Sequence, residues 1–194
     1  MIQNRQIERL ALSAMLIAMA VVLDMFPLFR APFGGSVTLL SMAPILLLAR
    51  KYGIRWGFIC GFVFAFMQLA LGAFGRMGTW GLSPTVFIAS LILDYFLAYS
   101  VLGLGGLFRR KSIENNVLWP AASTTIALTA RFLCHFIAGV ALWGAFAPEG
   151  QSVIVYSILY NGAYMLPELG ITLLGMVLLL NTPVIGNYFS PEKA

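Results

Sequence analysis

The chain has 194 residues, of which 60% are hydrophobic and only 10% charged, and it carries a net charge of +5. That balance excludes an ordinary soluble domain and identifies an integral membrane protein. The positive charge does not describe a nucleic-acid surface, because no basic stripe with interleaved aromatics exists and the longest basic run is Arg109-Arg110-Lys111.

In chain order, apolar runs are expected as helices near residues 8–28, 37–50, 54–73, 85–108, 117–146 and 153–182. Spans of about 20 residues cross roughly 30 Å of hydrocarbon. The expected fold is an all-α integral membrane protein, with residues 1–194 forming one domain of six transmembrane helices. Arg5 and Arg9 before the first run resemble a secretory leader, but Ala18-Met19-Ala20 sits inside the run, so it reads as the first helix. Within it, Ala14 and Ala18 put two small residues one turn apart, a spacing that permits close helix approach. Gly53, Gly57 and Gly61 in the third span offer a competing small face, and Asp24, near the outer end of the first helix, reads as solvated or capping.

The second run is too short to cross unaided, and Ser41-Met42-Ala43-Pro44 inside it suggests a half-span entered from an ordered loop. Such backbone is tolerated only where protein covers it. Arg5, Arg9, Arg50, Lys51, Arg55, Arg109, Arg110, Lys111 and Lys193 fall in alternate connections or at the termini. Only Arg30 and Arg76 lie on the opposite side and Arg131 lies inside a span, so the bias predicts both termini in the cytoplasm. Cys60 and Cys134 read as apolar core residues, without metal-ligand spacing. No phosphate loop, GxSxG or HExxH is present. The chain thus shows no nucleotide-binding module, and active transport would draw energy from a partner or an ion gradient. No cofactor and no metal are expected.

Charges at membrane depth are costly and point to a bundle interior or a functional site. Counted along their helices, Asp94, His135 and Asn161 lie at one level, about 13–17 Å below the outer helix ends. Arg131 and Glu168 share a deeper level and are expected to pair, a bridge that fixes helix register; Arg131 reaching Asp94 is the alternative. His135, Gly139 and Trp143 follow one another at four-residue steps on one helix face, as do Tyr156, Tyr160 and Tyr164 on the next helix. Aromatic walls over polar floor groups suit a flat heteroaromatic ligand, although Trp143 and Tyr156 taken alone read as interface anchors. If Asp94 is ionised and not paired with Arg131, a cationic ligand can supply its countercharge, with cation–π attraction from the aromatics. Otherwise it is neutral or hydrogen-bonded to a neighbour such as Tyr95.

The run His135-Phe136, Gly139, Trp143, Ala147-Pro148-Glu149-Gly150, Tyr156, Tyr160-Asn161-Gly162-Ala163-Tyr164, Pro167-Glu168 resembles the thiamine-specific substrate-binding components, the ThiT family, of energy-coupling factor transporters. Gly34-Gly35-Ser36-Val37, Ser41-Met42-Ala43-Pro44 and Leu93-Asp94-Tyr95 add to the resemblance, which covers residues 10–182. It implies a six-helix subunit of a prokaryotic cell membrane that is not an enzyme. Such a subunit binds thiamine from outside and works with a transmembrane coupling protein and two ATPase subunits. It further implies that His135, Gly139, Trp143, Tyr156 and Asn161 contact the ligand and that Asp94 and Tyr95 complete the site. The loop around Arg30 to Thr38 is implied to lid the pocket, and Ala14 and Ala18 to dock the coupling protein. The sequence differs from the family pattern in carrying Asp rather than Glu at position 94. It also lacks a tryptophan or acidic residue in Phe33-Gly34-Gly35-Ser36 and has a longer segment between Gly72 and Pro84. A binding component for another heteroaromatic vitamin keeps the same fold. An intramembrane enzyme using His135 with Asp94 as base is the different-class reading, and it lacks a nucleophile or metal set.

Overall fold

The computed structural model describes residues 2–32, 34–111 and 117–191; Phe33 of the expected lid and Lys193 of the basic set lie outside the described residues. Among the described residues, five helical stretches are long and apolar enough to cross a membrane: Asn4–Met25, Ile54–Gly78, Pro84–Gly106, Leu118–Ala141 and Val153–Asn181. Their outward faces carry exposed Phe62, Phe66, Leu133, Ile137, Leu166 and Leu174, side chains that suit hydrocarbon rather than water.

The first stretch belongs to α1 (Ile2–Met25). The second joins α3 (Ile54–Gln68) to α4 (Phe74–Gly78) through a π turn, Leu69–Ala73, in which Gly72 at φ +123° breaks the helix. The third runs from α5 (Pro84–Ser90) through a π turn, Leu91–Leu97, and α6 (Ala98–Ser100) into a 3-10 segment, Val101–Gly106. A π turn carries one residue more per turn than an α-helix and recurs at functional sites; this one contains Asp94. The last two stretches are α7 (Leu118–Ala141) and α8 (Val153–Asn181), and α9 (Pro183–Tyr188) follows.

The second run, expected at 37–50 as a half-span entered from an ordered loop, has that form with shifted bounds: a hairpin, β1 (Phe29–Arg30) antiparallel to β2 (Ser36–Val37), leads into a ten-residue helix, α2 (Ala43–Tyr52). At 1.5 Å per residue α2 covers about half the hydrocarbon thickness. It is buried from Ala43 to Lys51 and forms the centre of the core through Ile45, Leu46 and Leu48. Around it, small residues set the spacing of α3. A Cβ on Gly57 would lie 2.7 Å from Gly103 Cα, and one on Gly61 would lie 2.2 Å from the Tyr99 carbonyl oxygen. The glycine face of α3 is therefore used up inside the fold, whereas Ala14 and Ala18 are exposed on α1.

The basic residues gather at one end. Arg9 lies 3.5 Å from the centre of the Trp56 ring. Arg50 Nε donates to the Phe189 carbonyl at 3.2 Å and Lys51 Nζ to that of Tyr188 at 2.5 Å, so the last turn of α2 holds the end of α9. Cations at helix C-terminal carbonyls complement the helix dipole.

At the other end α8 grips the hairpin and the chain that leads from it. Tyr160 Oη donates to the Gly34 carbonyl at 3.0 Å, and Gly35, at φ +80°, lies so close to the Tyr164 ring that a Cβ would approach it to 2.5 Å. Thr38 donates both its backbone N–H (2.5 Å) and its hydroxyl (2.8 Å) to the Glu168 carboxylate, which is fully buried. Leu40, held at φ +64°, fills the notch left by Gly175. The expected Arg131–Glu168 bridge is thus not formed: depth along a helix fixes height but not azimuth, and Glu168 turns toward Thr38.

A neutral-donor cradle for Glu168 makes a prediction that an ion pair would not. Glu168→Leu removes both acceptors and leaves a buried backbone donor unpaired, at a cost of about 1–3 kcal/mol. The thermal unfolding midpoint in detergent should fall by about 2–4 °C for each kcal/mol. Glu168→Gln keeps one acceptor for the Thr38 N–H and should retain most of the stability; equal losses in the two variants would contradict the cradle.

Candidate functional site

Four side chains on two helices and the turn after one of them form the polar heart of a cavity of about 350 Å³. The π turn presents Asp94, α7 presents Arg131 and His135 one turn apart, and Trp143 follows the end of α7. Arg131 Nε donates to His135 Nε2 at 3.3 Å. A guanidinium has no acceptor to offer, so Nε2 presents its lone pair and the ring proton sits on Nδ1. His135 Nδ1–H then donates to Asp94 Oδ1 at 2.9 Å, and Trp143 Nε1–H donates to Oδ2 at 3.0 Å. Both oxygens of Asp94 are met by neutral donors. Arg131 itself lies over the Tyr99 ring at 4.2 Å and touches Met42 Sδ, so it is spent on α2 and α6 rather than on a carboxylate.

Helix α8 closes the opposite wall through a network of its own. Tyr164 Oη donates to Asn161 Oδ1 at 2.6 Å, and Asn161 Nδ2 donates to the carbonyls of Ser157 (2.9 Å) and His135 (3.3 Å). Ser157 Oγ donates across to the Phe136 carbonyl at 2.9 Å. Gly139 makes this seam possible, since a Cβ there would stand 2.1 Å from Ser157 Oγ. Its glycine is required first for the approach of α7 to α8, and only through that for the wall of the cavity.

The residues expected at the site, Asp94, Tyr95, His135, Gly139, Trp143, Tyr156 and Asn161, all line this one cavity. Asp94, His135 and Asn161, placed at one depth, are linked through the two ends of His135, its ring and its carbonyl. Arg131, expected at a deeper level, also lines the cavity, while Ala14 and Ala18 lie elsewhere. Among the lining residues that sequence reasoning did not assign to the site are Asp24, Gln68, Arg76, Trp80 and Tyr99, while Arg30 comes from the loop expected to lid it. Trp80 stacks edge-on against Trp143 at 5.6 Å. It follows α4 in an irregular stretch where helical spacing carries no information, so an unassigned tryptophan on the outer side was the one available signal. Asp24 announced itself as a charge in an apolar helix, and its position near the helix end was mistaken for solvation.

Among the described residues no group of three histidine, cysteine, aspartate or glutamate side chains could hold a metal ion. What the cavity offers is aromatic surface from Trp80, Trp143, Tyr156 and Tyr160, a carboxylate without a cationic partner, and donors and acceptors along α8. That set suits a flat, positively charged heteroaromatic molecule: the rings supply stacking and cation–π attraction, and Asp94 supplies the opposite charge.

A family model described as thiamine transporter protein matches residues 10–185. The chain is 30% identical over 190 residues to the thiamine transporter ThiT of Bacillus subtilis (strain 168), covering 93% of this chain and 94% of that protein. It is 32% identical over 188 residues to the thiamine transporter ThiT of Lacticaseibacillus paracasei, covering 92% and 89%. The solved structure of ThiT from Listeria monocytogenes superposes with a TM-score of 0.79 at 25% identity, covering 97% of this chain and all of that one. With relatives in bacteria and five helices able to cross a bilayer, the chain is a multi-pass protein of a prokaryotic cell membrane, and it belongs to the thiamine transporter protein family.

Proposed function

We propose that the chain is the thiamine-binding subunit of an energy-coupling factor uptake system and performs no chemistry on its ligand. The observation that carries this reading is Asp94, whose two oxygens receive only the neutral donors of His135 and Trp143 at the edge of an aromatic cavity. Thiamine is a cation with two flat rings, and it offers a positive charge to Asp94, the lining carboxylate that none of Arg30, Arg76 and Arg131 contacts. Its rings stack among Trp80, Trp143 and Tyr156, and its aminopyrimidine meets Asp94 and the Asn161 network. The basic end faces the cytoplasm, so both termini lie inside and the cavity opens outward beneath the hairpin.

A transmembrane coupling protein and two ATPases provide the energy. Ala14 and Ala18 are the docking face on α1, a reading supported by their exposure and by the internal use of Gly57 and Gly61. Reorientation against the coupling protein turns the cavity inward, and ATP hydrolysis by the partners drives the cycle.

Titrating the purified protein with thiamine, read by tryptophan fluorescence, tests the ligand. Asp94→Asn keeps the shape and removes the charge, and it should weaken binding about tenfold to a hundredfold, the range of a hydrogen bond to a charged group. Trp143→Ala should weaken it about tenfold or more, as loss of a desolvated cation–π contact does. Unchanged affinity in both variants would remove Asp94 and Trp143 from the site, and a parent that ignores thiamine but binds another heteroaromatic vitamin would replace the ligand.

Docking is tested separately. Ala14→Trp with Ala18→Trp should leave thiamine affinity within about threefold, because neither residue lines the cavity, while uptake into vesicles holding the energising module is lost. Uptake at the parent rate would place the docking face elsewhere on the subunit.

A further inference from the structure

A second cavity, of about 510 Å³, lies at the basic end, far along the chain's helices from the first. It forms where the start of α3 and the end of the 3-10 segment Val101–Gly106 come together, and two glycines shape it. A Cβ on Gly106 would lie 2.7 Å from the Ala49 carbonyl oxygen and from Ile54 N, so backbone meets backbone on its floor. Gly53, at φ +97°, leaves room for Arg109, whose Nη1 would come within 2.8 Å of a Cβ at that position. The inner walls are apolar, built from Tyr52, Ile54, Leu107 and Phe108, while Arg55, Arg109, Arg110 and Lys111 add four cations. Among the described residues no carboxylate lines it. Phe108 is held at φ +55° beside the groove, 5.3 Å from the Trp119 ring, a conformation bulky residues rarely adopt without being held there for a reason.

The charge bias that orients membrane proteins accounts for basic residues at this end, since such residues need only be near the bilayer. It does not account for their convergence on a groove with apolar walls at the ends of two membrane-crossing stretches. A cationic rim over an apolar trough at the ends of two membrane-crossing stretches matches one chemistry: a phosphate joined to acyl chains. We propose that this groove is a binding site for an anionic phospholipid, with the phosphate and headgroup held by Arg55 and the Arg109–Lys111 run and the upper acyl chain laid against Ile54, Leu107 and Phe108. Free phosphate would satisfy the cations and leave the trough wet, and an acidic protein segment would have no use for its apolar walls. The site is independent of the thiamine cavity, because the two share no lining residue.

The full chain, reconstituted in nanodiscs of phosphatidylcholine with or without phosphatidylglycerol, is released and examined by native mass spectrometry, with thermal unfolding as a second readout. The parent should retain phosphatidylglycerol in preference to phosphatidylcholine and unfold at a higher temperature in its presence. The double variant R109Q/R110Q should lose that retention, at about fivefold per cation removed. The charge-keeping R109K/R110K should recover most of it, and thiamine affinity should be the same in all three. Should the neutral pair fail to insert, Arg55→Gln on the facing wall carries the same expectation. Equal retention of the two lipids by the parent would overturn the site, as would undiminished retention by the neutral variants. If inorganic phosphate alone reproduces the whole stabilisation, the groove is an anion site without a lipid and the proposal fails.

Discussion

The cavity depends on a carboxylate that never meets a cation. Glu168 is fully buried in α8, and both of its oxygens are taken by Thr38, one by the backbone N–H and one by the hydroxyl. Ser41 shares the same hydroxyl, 2.7 Å away, so the cradle reaches from α8 through the loop to the start of α2. Above and below it the same face of α8 makes three further contacts: Tyr160 with Gly34, Tyr164 with Gly35, and Gly175 with Leu40. Residues 160, 164, 168 and 175 recur at the helical period, so one stripe of a rigid helix holds seven residues of irregular chain. That arrangement is how backbone outside a helix is tolerated in a protein surrounded by lipid. It also sets the hairpin against the cavity, which Arg30, Gly34, Gly35 and Ser36 line, and feeds α2 into the core at a fixed height.

From that frame the ligand site follows with little freedom. Arg131 is drawn to Tyr99 and Met42, and the remaining reach of its guanidinium fixes the tautomer of His135. His135 and Trp143 then orient Asp94 without neutralising it. The order of these bonds matters more than their number: had Arg131 reached Asp94 directly, that carboxylate would have been neutralised by the protein itself. Inserting a neutral imidazole between them keeps the carboxylate available, while Trp143 serves both as donor to Asp94 and as aromatic wall. Glu168 and Asp94 are thus held in opposite ways. Glu168 is enclosed by the protein for structure, and Asp94 is oriented and left facing the cavity.

Much of this was legible in the sequence because hydropathy and helical rise are one-dimensional quantities. Five spans were placed within a few residues at most ends, and the shared depth of Asp94, His135 and Asn161 came from counting along helices. What counting could not supply was rotation about each helix axis. Arg131 and Glu168 share a height and face different neighbours, so an inferred pair dissolved. Gly139 shares a helix face with His135 and Trp143, but spacing does not show that Ser157 of α8 occupies the room beside it. The ten residues of α2 were recognised as short, but not that they form the most enclosed part of the core. Trp80 and Arg30 reach the cavity from non-helical chain, where no periodicity exists to read. The kink at Gly72 and the π turn around Asp94 are likewise backbone events set by tertiary packing.

The most direct measurement is a crystal structure with thiamine bound. The account predicts the ligand inside the cavity, with a positively charged or amino-bearing ring facing Asp94, an aromatic face of Trp143 or Trp80 against it, and the Thr38–Glu168 bonds intact. A ligand bound outside the cavity, or one inside it that leaves Asp94 facing no polar or charged group of thiamine, would contradict the account.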